Sequence, residues 1–222
     1  EIYVKAGAQT VICGMADETR VAPFLDKMET LGKRPHYIQC DVAQEDSVRA
    51  MMDDAARKFG GIDVLVCNAG ISGQAGGWDE CFAVNTKGVW YCCDAARPYL
   101  KEREGRIVII SSGSILYGGK HTPQYVSTKA AAAGLVRFLA REYAPDRIRV
   151  NGILPCVIIT DMLAAKYESE EAMLAHYAPQ MPLGKVGYPK DIAGVTLFLS
   201  SELSDFVDGQ ILMGDDGRMH IG

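Results

Sequence analysis

The sequence predicts an α/β protein, a doubly wound parallel sheet in a single domain, and three observations carry that prediction. Short apolar runs rich in β-branched residues recur between amphipathic stretches. Most of these runs are apolar on consecutive residues rather than alternating, the pattern of strands covered on both faces. Helical periodicity fills the stretches between them, which requires parallel strands joined by right-handed crossovers.

Strands are expected at 10–13, 37–40, 62–67, 106–110, 148–154 and 210–213; Ile107-Val108-Ile109-Ile110 shows the unbroken apolar pattern most fully. Helices are expected near 18–31, 45–59, 78–103, 124–144 and 189–200. The last starts at Pro189, a residue suited to a first helical turn, and carries Ile192, Val195, Leu197, Phe198 and Leu199. No repeat, low-complexity segment or linker divides the 222 residues, a length one core can serve.

Charged residues make up 23% of the chain and apolar ones 48%, which excludes disorder, collagen and coiled coil. A net charge of −5 argues against a nucleic-acid surface or an anionic membrane as partner. No run approaches the roughly 20 apolar residues of a membrane helix. The first residues do not read as a secretion signal. Seven cysteines without a Cys-x-x-Cys pair suggest reduced, mostly buried thiols and a cytoplasmic protein. Histidines 36, 121, 176 and 220 share no ligand spacing, so no metal site is expected.

Ligands of such sheets bind beyond the carboxyl ends of the strands. Three strand ends stand out there: Asp41-Val42, Asn68-Ala69-Gly70 and Pro155. Asn-Ala-Gly makes a tight turn with a floor of small residues, which a flat or phosphorylated ligand can approach. Asp41 could accept a hydrogen bond from an adenine amino group or cap the following helix.

Tyr125 and Lys129 stand four apart in a helical pattern and share a face. Ser112 follows the strand at 106–110, and Asn85 lies in the preceding helical pattern. A phenol beside a fixed ammonium suits carbonyl reduction, because the positive charge should lower the phenol pKa towards working pH. The phenol can then donate a proton to a forming alkoxide, or take one from an alcohol being oxidised. Ser112 would hold the substrate oxygen. The plainer alternative is a surface tyrosine–lysine pair beside a polar loop.

The ordered set Asp41-Val42, Asn68-Ala69-Gly70, Asn85, Ser112, Tyr125-x-x-x-Lys129 and Pro155-Cys156-Val157-Ile158-Ile159-Thr160 resembles the short-chain dehydrogenase/reductases along the whole chain. The resemblance implies a Rossmann-like sheet and a hydride transfer between NAD(P)(H) and a carbonyl or secondary alcohol. It implies that Tyr125 is the general acid/base and that Lys129 also binds the nicotinamide ribose. Ser112 would orient the carbonyl, and Asn85 would hold a water of the proton relay. Asn68, Ala69 and Gly70 would pack on the adenosine ribose side, and Asp41 and Val42 would meet the adenine. Ile158 and Thr160 would meet the nicotinamide carboxamide, with Pro155 among the cofactor contacts. The stretch 161–180 would form a helical lid, with Met162, Leu163, Met173 and Leu174 joining Ile115 and Val157 around an apolar pocket, or only packing the lid on the body. A homodimer or homotetramer is implied, with the helices at 78–103 and 124–144 pairing across a two-fold axis. The alternative is a non-catalytic cofactor-binding or structural member of the same fold.

Four departures qualify the resemblance. The family's opening strand and its Thr-Gly-x-x-x-Gly-x-Gly phosphate loop are not in this sequence. Without that strand its two neighbours would stand about 9.6 Å apart, too far for ladder hydrogen bonds, so residues ahead of Glu1 are expected in the functional protein. The stretch from Gly70 to Asn85 is short for the family. Cys156 stands where glycine is usual, and nothing cationic lies nearby in sequence to activate its thiol. Near Gly14, where a carboxylate would select NAD(H), there is none, which tilts the expectation to NADP(H) over NAD(H).

Overall fold

The computed structural model describes residues 1–73, 77–118, 122–164 and 167–219, without the side chain of Met162. The expectations placed on His121, His220 and the Met162 side chain therefore lie outside the described residues. All six described strands pair in parallel, in two sheets. Strand β1 (Val11–Gly14) pairs with β2 (His36–Gln39) in the register Val11 to His36. The second sheet has the order β3 (Val64–Cys67), β4 (Arg106–Ile110), β5 (Arg149–Pro155), β6 (Ile211–Gly214). Among the described residues no ladder joins β1 to β3.

Helices cover both faces of the larger sheet, as consecutive apolar residues in its strands require. Alternate residues of β4 point opposite ways. Ile107 and Ile109 enter a core shared with α3 (Glu45–Phe59), α5 (Gly88–Lys101) and α7 (Pro123–Tyr143). Val108 enters a smaller core with Ile153 and Leu199 under α10 (Pro189–Leu199). The short α1 (Ile2–Lys5) packs on α10, where Tyr3 Oη and Ser200 Oγ are 2.7 Å apart. The amphipathic α2 (Glu18–Glu29) lies against β2, its N-terminus capped by Asp17, whose carboxylate accepts from the Arg20 N–H.

The helical stretch expected at 78–103 is observed over 78–101, with a change of pitch inside it. It runs as α4 (Trp78–Phe82), a π-helical turn over Ala83–Lys87, and α5. Wide turns of this kind re-aim a side chain, and here the buried Asn85 sits in the middle of one. Past the turn, Gly88 lets α5 approach closely: a Cβ there would stand 2.9 Å from the Val42 carbonyl oxygen. Beyond β4 comes α6 (Ser114–Tyr117). Beyond β5 the chain forms α8 (Asp161–Ala164), α9 (Glu170–Tyr177) and a 3-10 turn over Ala178–Gln180. No described helix is long and apolar enough to cross a membrane.

Candidate active site

Three chain segments leave the carboxyl ends of β3, β4 and β5 side by side, and α7 crosses beneath them. The start of α7 is fixed locally. Pro123 occupies the first turn and Thr122 caps it, its Oγ1 accepting from the Tyr125 N–H at 3.3 Å and donating to the Ser72 carbonyl at 2.8 Å. One turn later Lys129 follows on the same face. It is only 5% exposed and donates from Nζ to the Ile110 carbonyl at 2.9 Å, while Ser111 Oγ donates to the Lys129 carbonyl at 2.7 Å. The end of β4 and the middle of α7 are thereby tied together.

Burial moves the Lys129 ammonium down from 10.5 to about 8. Burial also pushes the Tyr125 phenol above its usual value, opposed by a side-chain hydrogen bond with Ser112. The expected lowering of the phenol towards working pH is therefore not met. The dominant cause is desolvation of a phenolate, and the ammonium meant to offset it is itself desolvated and directed at Ile110. Ser112 Oγ accepts from the Ser114 N–H at 3.2 Å and from Ser114 Oγ at 2.9 Å. A hydroxyl with both lone pairs occupied keeps its own proton for Tyr125 or for a ligand oxygen.

Asn85 is fully buried and acts on the backbone. Its Oδ1 accepts from the Ile71 N–H at 2.8 Å; its Nδ2 donates to the Ile71 carbonyl at 2.9 Å and to Thr128 Oγ1 at 3.1 Å. These bonds hold the turn that follows β3. A Cβ on Gly70 would stand 3.1 Å from both Asn85 Oδ1 and Lys129 Nζ, so any larger residue would crowd both side chains.

A cavity of about 740 Å³ opens over this set. Asn68, Gly70, Ser112, Tyr125 and Lys129 line one side, with Pro155, Ile158 and Thr160 beside them. Four of the expected site residues do not line it: Asp41, Val42, Ala69 and Asn85. Asp41 does not cap α3. Its Oδ1 accepts from the Ala43 N–H at 2.9 Å and closes its own turn, while Gln44 holds the N-cap position. Of the residues expected around an apolar pocket, Leu163 and Val157 line the cavity, whereas Ile115, Met173 and Leu174 do not. Leu163 and Leu174 pack around Val157, Met181 and Val186, and Met173 is wholly buried.

The lining also includes residues that the sequence reading passed over: Tyr117, Tyr167, His176, Tyr177, Gln180 and Arg218. No cation stands near Cys156 in sequence, but the fold brings one to it. Arg218 Nη1 donates to Cys156 Sγ at 3.4 Å across 62 positions of sequence. No local pattern could have announced that pair.

A Rossmann-like parallel sheet with a tyrosine, a serine and a lysine gathered at its carboxyl edge places the protein among nucleotide-binding α/β folds. The chain belongs to the short-chain dehydrogenase/reductase family. Residues 1–219 match the family described as Enoyl-(Acyl carrier protein) reductase. The chain is 32% identical to the 3-oxoacyl-(acyl-carrier-protein) reductase FabG of Aquifex aeolicus, with 98% of this chain and 90% of that protein aligned. It is 35% identical to the 3alpha-hydroxysteroid dehydrogenase of Mediterraneibacter gnavus, over 96% of this chain and 88% of that one. Among solved structures, a short-chain type dehydrogenase/reductase from Mycobacterium ulcerans superposes with a TM-score of 0.88 at 30% identity, covering 97% of this chain and 82% of that one. One from Mycobacterium marinum gives 0.86 at 29%, covering 98% and 88%.

Proposed function

We propose that this protein is an oxidoreductase that interconverts a carbonyl and a secondary alcohol, with Tyr125 as general acid/base. The observation that carries this reading is the convergence of Tyr125, Ser112 and Lys129 on one cavity at the carboxyl end of β4. The relatives support it, being named as a reductase of 3-oxoacyl groups and a hydroxysteroid dehydrogenase.

The Tyr125 phenol, held protonated by burial, has its proton ready for an oxygen that gains negative charge. Ser112 O–H donates to the same oxygen and orients it. The Lys129 ammonium stabilises the phenolate left behind, and its lowered pKa lets it pass a proton on near neutral pH. Asn85 is a positioning residue in this scheme, and the water-holding part implied for it belongs to the same proposal.

A nicotinamide cofactor supplies or accepts the hydride when bound. The residues fit such a group: Gly70 leaves a cradle that a Cβ would fill, directly beside the Lys129 ammonium. Lys129, Asn68 and Gly70 would hold its ribose side, and Pro155, Ile158 and Thr160 its carboxamide end. Asp41, Val42 and Ala69 are assigned to the adenosine half, outside the described cavity. NADP(H) is favoured over NAD(H). The end of β1 offers Gly14, whose carbonyl accepts from Tyr37 Oη at 2.9 Å, and no carboxylate stands at that position. A further central strand with its glycine-rich loop is part of the proposal, supported by the separation of the sheet between β1 and β3.

A cytoplasmic homodimer or homotetramer pairing α4–α5 and α7 is also proposed. Exposed Trp78, Phe82, Trp90 and Phe138 on those helices support the pairing. A monomer in sedimentation at micromolar concentration would reject it. The function itself is tested by a thermal-shift titration with NADPH and NADH, followed by a carbonyl screen. A saturable rise with NADPH is expected; no rise with either nucleotide, and no turnover of any carbonyl, would overturn the reading.

A further inference from the structure

Arg218 stands in the wall of the cavity that holds Tyr125 and Ser112. Its contacts are all neutral. Nη2 donates to Gln180 Oε1 at 2.7 Å, Nη1 to Cys156 Sγ at 3.4 Å, and the guanidinium lies 5.5 Å from the centre of the Tyr117 ring. Arg49, Arg97 and Arg106, by contrast, each reach a carboxylate within 3 Å. The acids closest to Arg218 in sequence are turned to other partners. Asp215 accepts from the backbone N–H groups of Gly217 at 3.1 Å and Met219 at 2.9 Å. Asp216 accepts from the Leu183 N–H at 3.0 Å. Among the described residues no carboxylate lies within ion-pair distance of Arg218. A half-buried guanidinium cannot shed its charge by losing a proton, and taking it out of water is costly unless an anion faces it.

The same lining carries an aromatic cluster. Tyr177 packs edge to face on Tyr167 and on His176, and Tyr167 lies tilted against His176, with centroids 4.7 to 5.8 Å apart. A ligand in this cavity therefore has within one lining a proton donor, ring faces and edges to pack on, and a cation that no carboxylate among the described residues pairs. We infer that the substrate is an organic acid, an oxo- or hydroxycarboxylate whose carboxylate pairs with Arg218 while its carbonyl or hydroxyl oxygen lies between Ser112 and Tyr125. The planar fork of the guanidinium matches a carboxylate in two-point contact. This inference rests on the carbonyl–alcohol reading above and supplies its substrate class.

The test compares levulinate, and longer oxoalkanoates of the same kind, each with its own methyl ester. With the wild type and NADPH, kcat/KM for at least one acid should exceed that of its ester by about tenfold or more, the worth of one charge-assisted contact. In Arg218→Met the ratio should fall to about one; in Arg218→Lys it should be intermediate, since the charge stays and the fork is lost. Wild-type enzyme that reduces acids and esters equally well would overturn the inference without any variant, as would an acid preference that survives in Arg218→Met. Calorimetry of the same acids against the NADPH-loaded protein reads the anion site without turnover. Binding of the acid that Arg218→Met loses, with no probe reduced, would uphold the anion site and sink the hydride-transfer reading. Equal binding of acid and ester by the wild type would sink the anion site whatever the turnover.

Discussion

The two sheets of this molecule differ in how much of the chain supports them. In β4 and β5 the central residues are buried: Ile107, Val108, Ile109, Val150 and Ile153 have no exposed surface. Each of these strands has a neighbour on both sides and helices on both faces. In β1 no residue is buried, and Cys13 is exposed. Among the described residues that strand has one neighbour, β2, and its other edge is where the further strand proposed above would lie. The same apolar composition thus gives a platform covered on every side in one place and a ribbon open to that strand in the other. The platform carries the proposed reacting set, whose atoms must be held closely. The ribbon carries Gly14 and Tyr37, the side assigned to cofactor selection.

The sharpest consequence concerns the platform. Tyr125→Phe removes the proposed general acid and should lower kcat by about a thousandfold while leaving the melting temperature nearly unchanged, since the phenyl ring keeps its packing. Retained turnover would move the chemistry away from α7. Next comes the contrast in stability. Ile107→Ala should cost about 2–5 kcal/mol in urea denaturation, through lost contacts and a cavity that the closed sheet cannot refill. Ile12→Ala in β1 should cost about 1 kcal/mol, because its side chain is already half solvated. Equal costs would erase the distinction between the two sheets.

A third effect depends on pH. With the Lys129 pKa lowered from 10.5 to about 8, the unfolded chain binds a proton between those values that the folded protein does not. Stability should therefore rise with pH across that window, relative to Lys129→Met, which lacks the group. A wild-type slope no steeper than that of the variant would show that the ammonium is better solvated than its burial implies. The smallest effect belongs to the ribbon. Gly14→Asp restores a carboxylate at the end of β1 and should shift the NADPH/NADH ratio of kcat/KM by about tenfold towards NADH, with little change in kcat. A loss of kcat instead would mean that β1 reaches the chemistry.

The fold was legible where the signal is local. All six expected strands begin and end within two residues of the observed ones, because β-branched runs bounded by polar residues state their own period. The pairing of Tyr125 and Lys129 on one face followed from helical spacing, and the nearness of Ser112 from its position at a strand end. The helical stretch at 78–103 was legible, but the π-helical turn inside it was not, because such a turn leaves the apolar pattern almost intact while shifting it by one residue. Asp41 shows the limit of local reading: its type and place allowed it to cap α3, but its Oδ1 closes its own turn on the Ala43 N–H while Gln44 takes the N-cap position.

By itself, then, the sequence determined the class of sheet, the order of its helices and the placing of Tyr125, Lys129 and Ser112 on α7 and after β4. Each follows from spacings of a few residues, over which chain geometry is nearly rigid. Only the tertiary structure decided where the Lys129 ammonium points, which side chains line the cavity, and that Arg218 meets Cys156 rather than either neighbouring aspartate. Those outcomes depend on contacts across 19 and 62 positions, and on desolvation, which is a property of the whole packed environment rather than of any stretch of chain.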